Sequence, residues 1–482
     1  MLLGIDLGTT HVKACAYDDG GRLLAVARHL TPTRRLPGGA EYDARSLEQA
    51  AFAAARETVE ASSPPCAVGV SSGGEAGFLV GEGGEALAPA IAWFDGRTAA
   101  QAARWRERIP PEELFARTGL HTNPLFSACK LEWIRENIPG AWSRATGWLG
   151  IAEYLAFRMT GERGTDPSLA GRTMLYRIAD DEWDGELCEL AGVPKEWLPP
   201  VYPSGAGPGR LTEEAAAEIS ASPGVPVVVC GHDHICGSFG AGASRPREIV
   251  DSMGTAEASL LTLERPPLDA SGYELGLPVG RHVLPETYYV AATLPRSGGL
   301  VEQLVKLLGG HADDLAHWTE QARDLLPGAG GTCLPPTNDN PDEEGLLLTS
   351  LGNESSPGHL LRAVLEGLTL RMHSDLRRAI RATNIEPSGV TLLGGGAQNR
   401  LWSQLKADVS NLPVRVVSDL ECVARGAAML AAVGAGVFPD VGSVPTPDYE
   451  ADLKPSGDHS DYERLYTKVY EPLLEHFRRA PG

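Results

Sequence analysis

Nowhere in its 482 residues does the chain carry an apolar run of the ~18 residues that a membrane-spanning helix needs. No membrane partner is expected. Positive charge is also scarce: 42 Lys and Arg against 63 Asp and Glu leave a net charge of −21. Nucleic-acid affinity depends largely on Lys and Arg neutralising phosphates, so a nucleic-acid partner is excluded. Small anions, which helix N-termini can hold on an acidic protein, are not. The eight cysteines include no C-x-x-C pair. Cys230 and Cys236 lie six apart, one ending a strand-like run and one inside a helix-like run, so zinc is not expected there. A reduced cytoplasm is the expected setting. A basic leader is missing too: "MLLGIDLGTT" reaches Asp6 and a turn at once and reads as a mature start.

What is present reads as a duplicated α/β protein. The length predicts two ordinary domains or three small ones, and 43% apolar with 22% charged residues is an ordinary globular composition. "LLGIDL", "VKACAYD" and "RLLAVARHL" predict three strands joined by "GTT" and "DGG" turns. "SLEQAAFAAARETVEAS" predicts a helix capped by Ser46. "CAVGVSS" follows as a buried strand, "AGFLVGEGGEALAPAIAWFD" as a hairpin and "RTAAQAARWRERI" as a helix. "PVVVCGHDH" is strand then turn, before the small-residue helix "ICGSFGAGA". Near residue 245 the same grammar restarts. "REIVDSMGTAEASLLTLERP" gives strand, Gly-Thr turn, strand, and "PGHLLRAVLEGLTLRMHSDLRRAIRAT" gives a long helix. "GVTLLGGGAQNRLWSQLKADVSNL" is a strand–glycine–helix unit, and "ECVARGAAMLAAVGAGV" is a closing helix suited to tight packing. The tail predicts one amphipathic helix, "DYERLYTKVYEPLLEHFRRA", with Tyr466, Val469, Tyr470 and Leu473 on one face. That face is expected on its own domain; packing on a second copy would make a homodimer. We therefore expect domains at 1–244 and 245–482 with a cleft between them.

Four stretches carry chemistry. Asp6 ends a strand, and Gly8-Thr9-Thr10 can aim N–H and hydroxyl donors at phosphate oxygens while Asp6 holds Mg²⁺ through water. The G-K-[ST] ending of a P-loop is absent. Gly254-Thr255 repeats the turn in the second half. Gly394, Gly395 and Gly396 permit close backbone approach, and Gln398 and Asn399 can bond a base or ribose; the spacing is not a Rossmann fingerprint. Finally, Asp233 follows a strand that ends at Gly231, at the sheet edge where open α/β folds bind ligands. It can accept the proton of a substrate hydroxyl in phosphoryl transfer. If the backbone stays extended, His232 and His234 diverge from it; a His-Asp-His metal site is the rival reading.

In order, these residues resemble the FGGY family of carbohydrate kinases, which includes glycerol kinases and xylulokinases. "GIDLGTTHVK" resembles the first phosphate motif, "APAIAWFDGRTAAQ" the W-x-D-x-R segment, and "FSACKLEWIREN" and "TDPSLAGRTMLY" the substrate-domain signatures. "GHDHICGSFGAG" resembles the segment of the catalytic aspartate, which falls on Asp233, and "SMGTAEAS" the second phosphate motif. "LRAVLEGL" resembles a second-domain helix, "LLGGGAQNRLWSQLKADVSNLPV" the adenosine motif and "ARGAAMLAAVGAGVF" the closing helix. The resemblance implies two actin-like, ribonuclease H-like domains that close over Mg-ATP and a sugar or polyol. It implies Asp233 as base and Glu75, Trp93, His232 and His234 on the substrate. It further implies Asp6, Thr9, Thr10, Gly254 and Thr255 on the phosphates, and Gly298, Gly395, Gly396 and Asn399 on adenosine. The chain departs from its relatives at Gly74-Glu75, where glycerol kinases carry Arg-Glu and xylulokinases Met-His. Leu125 and Ala258 replace a tyrosine and a phenylalanine of glycerol kinases. A larger polyol or sugar than glycerol is expected, with Gly74 leaving space for it. Asp95 and Arg97 are expected as a structural ion pair, and Lys13 as structural or peripheral. The competing readings are an actin-like nucleotide-binding protein with assembly or regulatory output, a metal hydrolase on His232-Asp233-His234, and a sugar-binding relative without turnover.

Overall fold

The computed structural model describes residues 1–328, 331–334, 347–349 and 355–479. Two compact units interleave along the chain. The first comprises Met1–Ser244, Leu263–Tyr289 and Glu421–Pro447, and the second Arg245–Thr262, Val290–Leu420 and Asp448–Gly482. A single boundary at 244/245 does not describe this division, because two later segments belong to the first unit.

The first unit is built on a mixed sheet in the order Gly209–Arg210, Pro226–His232, Ala67–Ser72, Leu2–Leu7, His11–Tyr17, Leu23–Leu30. Leu2–Leu7 is parallel to Ala67–Ser72 and antiparallel to His11–Tyr17. All six residues of Leu2–Leu7 are buried, as a strand covered on both faces requires. Leu3, Ile5 and Leu7 share a core with Leu47, Ala51, Phe52, Ala55 and Val59 of the helix Ala44–Glu60. Each large side chain buried there contributes about 1.5–3 kcal/mol. The alternate residue, Gly4, faces the closing helix Cys422–Gly434, where an added Cβ would sit 1.8 Å from the Ala424 carbonyl oxygen. The same period of two sends Asp6 to the Gly4 side.

Three local expectations change. The first helix is capped by Asp43, not Ser46: Asp43 Oδ1 accepts the Ser46 N–H at 2.9 Å and its hydroxyl at 2.7 Å. A carboxylate out-competes a hydroxyl for a helix N-terminus because it is charged. The predicted hairpin at 76–95 is short. Its arms pair only beside the turn, where the Leu87 N–H donates to the Leu79 carbonyl at 2.8 Å and the Gly81 N–H to the Glu85 carbonyl at 2.9 Å, and its named strands take other partners as well. Gly77–Val80 pairs with Gly147–Gly150, and Ala90–Ile91 with Gly39–Tyr42.

The second unit repeats the strand order of the first. Tyr288–Leu294, Glu257–Leu263, Glu248–Met253, Gly389–Leu393 and Val414–Val417 lie side by side, with Tyr449–Leu453 beyond. Its long helix spans Pro357–Thr383, as the periodicity predicts. The tail is the third change. It is α-helical over His459–Leu465, a π-helix over Tyr466–Tyr470, and α-helical again over Glu471–Arg479; Ala480 lies outside the described residues. The wider turn buries Tyr462, Tyr466, Tyr470 and Leu474 at a spacing of four and leaves Val469 exposed. Tyr470 donates to the Gly367 carbonyl and Tyr466 to the Ser374 hydroxyl, each at 3.1 Å, so the face packs on its own unit. Among the described residues no helix is long and apolar enough to cross a membrane.

Candidate active site

The parallel strands Leu2–Leu7, Ala67–Ser72 and Pro226–His232 end at one edge of the first unit's sheet. Asp6 lies at the end of the first, Glu75 three residues past the second, and Asp233 directly past the third. Residues at such an edge face the place where open α/β sheets hold ligands.

Asp233 is not on an extended stretch. It is the first residue of the helix Asp233–Gly240, with His232 in the N-cap position. Gly231, at φ 105°, makes the sharp exit from the strand that L side chains resist. The turn into the helix brings both imidazoles to the carboxylate instead of apart. Nε2 of His232 is 3.5 Å and Nε2 of His234 4.0 Å from Asp233 Oδ1, which also accepts the His234 N–H at 2.6 Å. Burial pushes the Asp233 carboxyl up. The two histidines, that N–H and Arg172 outweigh burial and hold it below the usual carboxylate range. His232 is buried, and desolvation pushes it down to about 4, so its ring is neutral; its Nδ1 is buried without a partner. Among the described residues no three His, Cys, Asp or Glu side chains are grouped to hold a metal ion. The His-Asp-His alternative therefore has no ligand set.

Asp6 stands in the opposite state. Its Oδ1 is buried without a hydrogen-bond partner. Desolvation pushes its pKa up to about 7, against the pull of Lys13 and with the repulsion of Asp233 and Glu421 adding to it. Lys13 itself is tied to Glu421 at 2.8 Å, a structural role. Beside Asp6 the Gly8 N–H donates to the His11 carbonyl at 3.1 Å to close the tight turn. Thr31 fastens that turn by donating to the Gly8 carbonyl at 2.6 Å. Thr9 and Thr10 are exposed, and Trp93 Nε1 donates to Thr9 Oγ1 at 2.8 Å. Trp93 thus stands against the turn with its ring partly in solvent.

Glu75 is buried and its neighbours were not legible from the sequence. Arg172 reaches Glu75 Oε1 with Nε at 2.7 Å and Nη2 at 2.6 Å. Lys130 and Ser127 each donate to the Glu75 carbonyl at 3.1 Å. Burial would raise the Glu75 carboxyl; Arg172, His232 and Lys130 bring it below its ordinary value. Burial pushes Lys130 down to about 7. The only sequence signal was that Arg172 and Lys130 fall inside the two substrate-domain signatures. Asp95 and Arg97 form the expected ion pair, at 2.6 Å, and Arg97 continues to Glu41 at 2.6 Å.

In the second unit, three glycine segments converge. The Gly298 N–H donates to the Gly254 carbonyl at 3.1 Å and the Gly299 N–H to the Thr255 carbonyl at 3.1 Å. A Cβ on Gly298 would lie 2.5 Å from the Gly254 oxygen, and one on Gly396 3.0 Å from Met253. Gly395 has open space around it. Asn399 caps the helix Arg400–Ser410 by accepting the Trp402 N–H at 3.1 Å, and it donates to Thr319 at 3.3 Å. Beneath the turn lies a buried cluster: Lys406 is 2.7 Å from Asp251 and also pairs with Glu257, which accepts the Ser297 hydroxyl.

The FGGY N-terminal domain model matches residues 1–240, and the FGGY C-terminal domain model matches residues 249–435. The chain belongs to the FGGY family of carbohydrate kinases. This FGGY kinase is 29% identical to the L-fuculokinase of Escherichia coli K12 over 454 residues, covering 91% of this chain and 93% of that one. It is 31% identical to the glycerol kinase of Aromatoleum aromaticum over 458 residues, covering 91% and 90%. The crystal structure of xylulose kinase from Rhodospirillum rubrum matches with a TM-score of 0.90 at 27% identity, covering 99% of this chain and 100% of that one. The chain is thus a phosphotransferase of the two-domain FGGY fold, and kinases of this family use ATP. An assembly or regulatory protein is set aside. Three relatives with three different names select no single sugar.

Proposed function

We propose that this kinase transfers the γ-phosphoryl group of ATP to a hydroxyl of a sugar or polyol larger than glycerol, from tetritol to hexose size, with Asp233 as the base. The observation that carries this reading is the state of Asp233: ionised, at a strand end, and flanked by two histidines within 4.0 Å. The substrate oxygen attacks the γ-phosphorus in line, its proton passes to Asp233, and ADP leaves. In this reading residues 1–244 carry the sugar-side groups, with Glu75 accepting a substrate hydroxyl. Trp93 packs an apolar sugar face, and His232 and His234 flank the reacting oxygen. Residues 245–482 carry most of the nucleotide-side groups. Thr9, Thr10, Gly254 and Thr255 donate to phosphate oxygens, and Gly298, Gly395, Gly396 and Asn399 border the adenosine.

Asp6 fits a hydrated Mg²⁺. A buried carboxylate oxygen without a partner and a raised pKa is what an oxygen-loving cation relieves. When bound, that ion neutralises charge on the transferred phosphates. Purified full-length chain with Mg-ATP, read by ADP release against D-xylulose, L-fuculose and glycerol, tests the assignment. Asp233→Asn is expected to lower the sugar-stimulated rate by about 10²–10⁴-fold with ATP binding unchanged. A stimulated rate within tenfold of the parent removes Asp233 as the base.

A further inference from the structure

From sequence, glycine at position 74 reads as room for a larger substrate. The structure fills that room with protein. A Cβ on Gly74 would fall 2.6 Å from Cγ and 2.8 Å from Cβ of Arg172, and 3.0 Å from Cδ2 of His232. Arg172 passes over Gly74 to reach Glu75, and this path exists only because residue 74 has no side chain.

At the end of that path the guanidinium lies over the Phe126 ring at 5.1 Å and bonds the Tyr289 hydroxyl as well as Glu75. Both Nε and Nη2 converge on Oε1 of Glu75. Oε2 takes no bond from any described residue, and the Glu75 carbonyl is held by Lys130 and Ser127. Backbone and one carboxylate oxygen are therefore both pinned, and the other oxygen is left as an acceptor of fixed direction. A planar fork does this where a flexible ammonium would not. The cations here are spent: Arg172 on Glu75 and Tyr289, Lys130 on a carbonyl. The acceptor that remains open, Glu75 Oε2, calls for a hydroxyl donor and offers nothing to a substrate carboxylate.

We propose that Arg172, admitted by Gly74, is the positioning residue of the acceptor site: it fixes Glu75 Oε1 so that Oε2 reads a hydroxyl of a neutral sugar or polyol and turns away aldonic acids. This rests on the kinase reading with Asp233 as base.

The experiment compares Arg172→Gln, Arg172→Lys, Glu75→Gln and the Arg172→Gln/Glu75→Gln double variant, in the full chain with Mg-ATP and D-xylulose, L-fuculose, glycerol and D-gluconate. The best substrate is expected among the neutral compounds. Arg172→Gln raises its KM at least tenfold while the KM for ATP stays within twofold. Arg172→Lys restores part of that loss and serves if Arg172→Gln does not fold. The double variant is no more than twofold worse than Glu75→Gln, because Arg172 acts through Glu75. Additive losses, an ATP KM that rises in parallel, or D-gluconate as best substrate overturns the inference. Asp233→Asn separates the two readings: if it keeps the stimulated rate, the base assignment fails irrespective of Arg172. If no compound is turned over, a melting-temperature cycle decides. Gly74→Ala is expected to lower the melting temperature of the parent and to cost at most half as much in Arg172→Gly; an equal cost in both overturns the contact on which the proposal stands.

Discussion

Replacing Asp6 by asparagine removes a buried carboxyl whose folded-state pKa is raised from 3.8 to about 7, chiefly by desolvation. Between those two values the folded chain holds a proton that the unfolded chain has released. Stability therefore falls as pH rises across that window and stays lower above it. Three pKa units correspond to about 4 kcal/mol, a value that already contains the attraction of ionised Asp6 to Lys13. Asparagine has the same shape and no charge to desolvate. In EDTA at pH 8, Asp6→Asn should be the more stable chain by up to about 4 kcal/mol; at pH 5, still inside the window, the gap should shrink to less than about 2 kcal/mol. For a first unit of roughly 300 residues, unfolding entropy of ~2.1 cal/mol/K per residue converts this to about 6 °C. Differential scanning calorimetry at both pH values, with and without Mg²⁺, reads it. Magnesium should raise the melting temperature of the parent at pH 8 and leave Asp6→Asn unmoved. Equal melting of parent and variant in EDTA at pH 8 would refute the desolvation argument, and an equal magnesium shift in both would refute Asp6 as the metal-side group.

Two further perturbations test the packing that supports the site. Gly69→Ala would place a Cβ 2.1 Å from the Ala427 carbonyl oxygen and 2.9 Å from Cys230 Sγ. Overpacking of this kind costs about 1–3 kcal/mol or more, and a melting temperature within 1 °C of the parent would deny the close contact of strand and closing helix. Lys406→Met leaves Asp251 and Glu257 buried without their cation. A loss of about 3–5 kcal/mol is expected in urea denaturation. It should be larger at pH 8 than at pH 5, since Glu257 is already pushed up to about 7 by burial and by Asp251. A loss independent of pH would mean the acids are not what Lys406 compensates.

What the chain determines locally was legible in the sequence. Period-two runs ending in Gly-Thr turns define Leu2–Leu7 with His11–Tyr17, and Glu248–Met253 with Glu257–Leu263, because strand alternation and turn chemistry act over a few residues. Strand, glycine and small-residue helix likewise place Asp233 at a sheet edge. Local competition was harder to read. Whether Asp43 or Ser46 caps a helix, or whether tyrosines four apart widen the tail into a π turn, depends on what the neighbouring surface accepts. Tertiary structure alone decided what surrounds each functional group. Arg172 meets Glu75 across 97 residues, Lys130 across 55, and Lys406 meets Glu257 across 149. No spacing rule reaches that far, since the contacts follow from which strands lie side by side. Gly74 shows the difference most plainly: one missing side chain reads as empty space in the sequence, and in the fold it is the passage of an arginine.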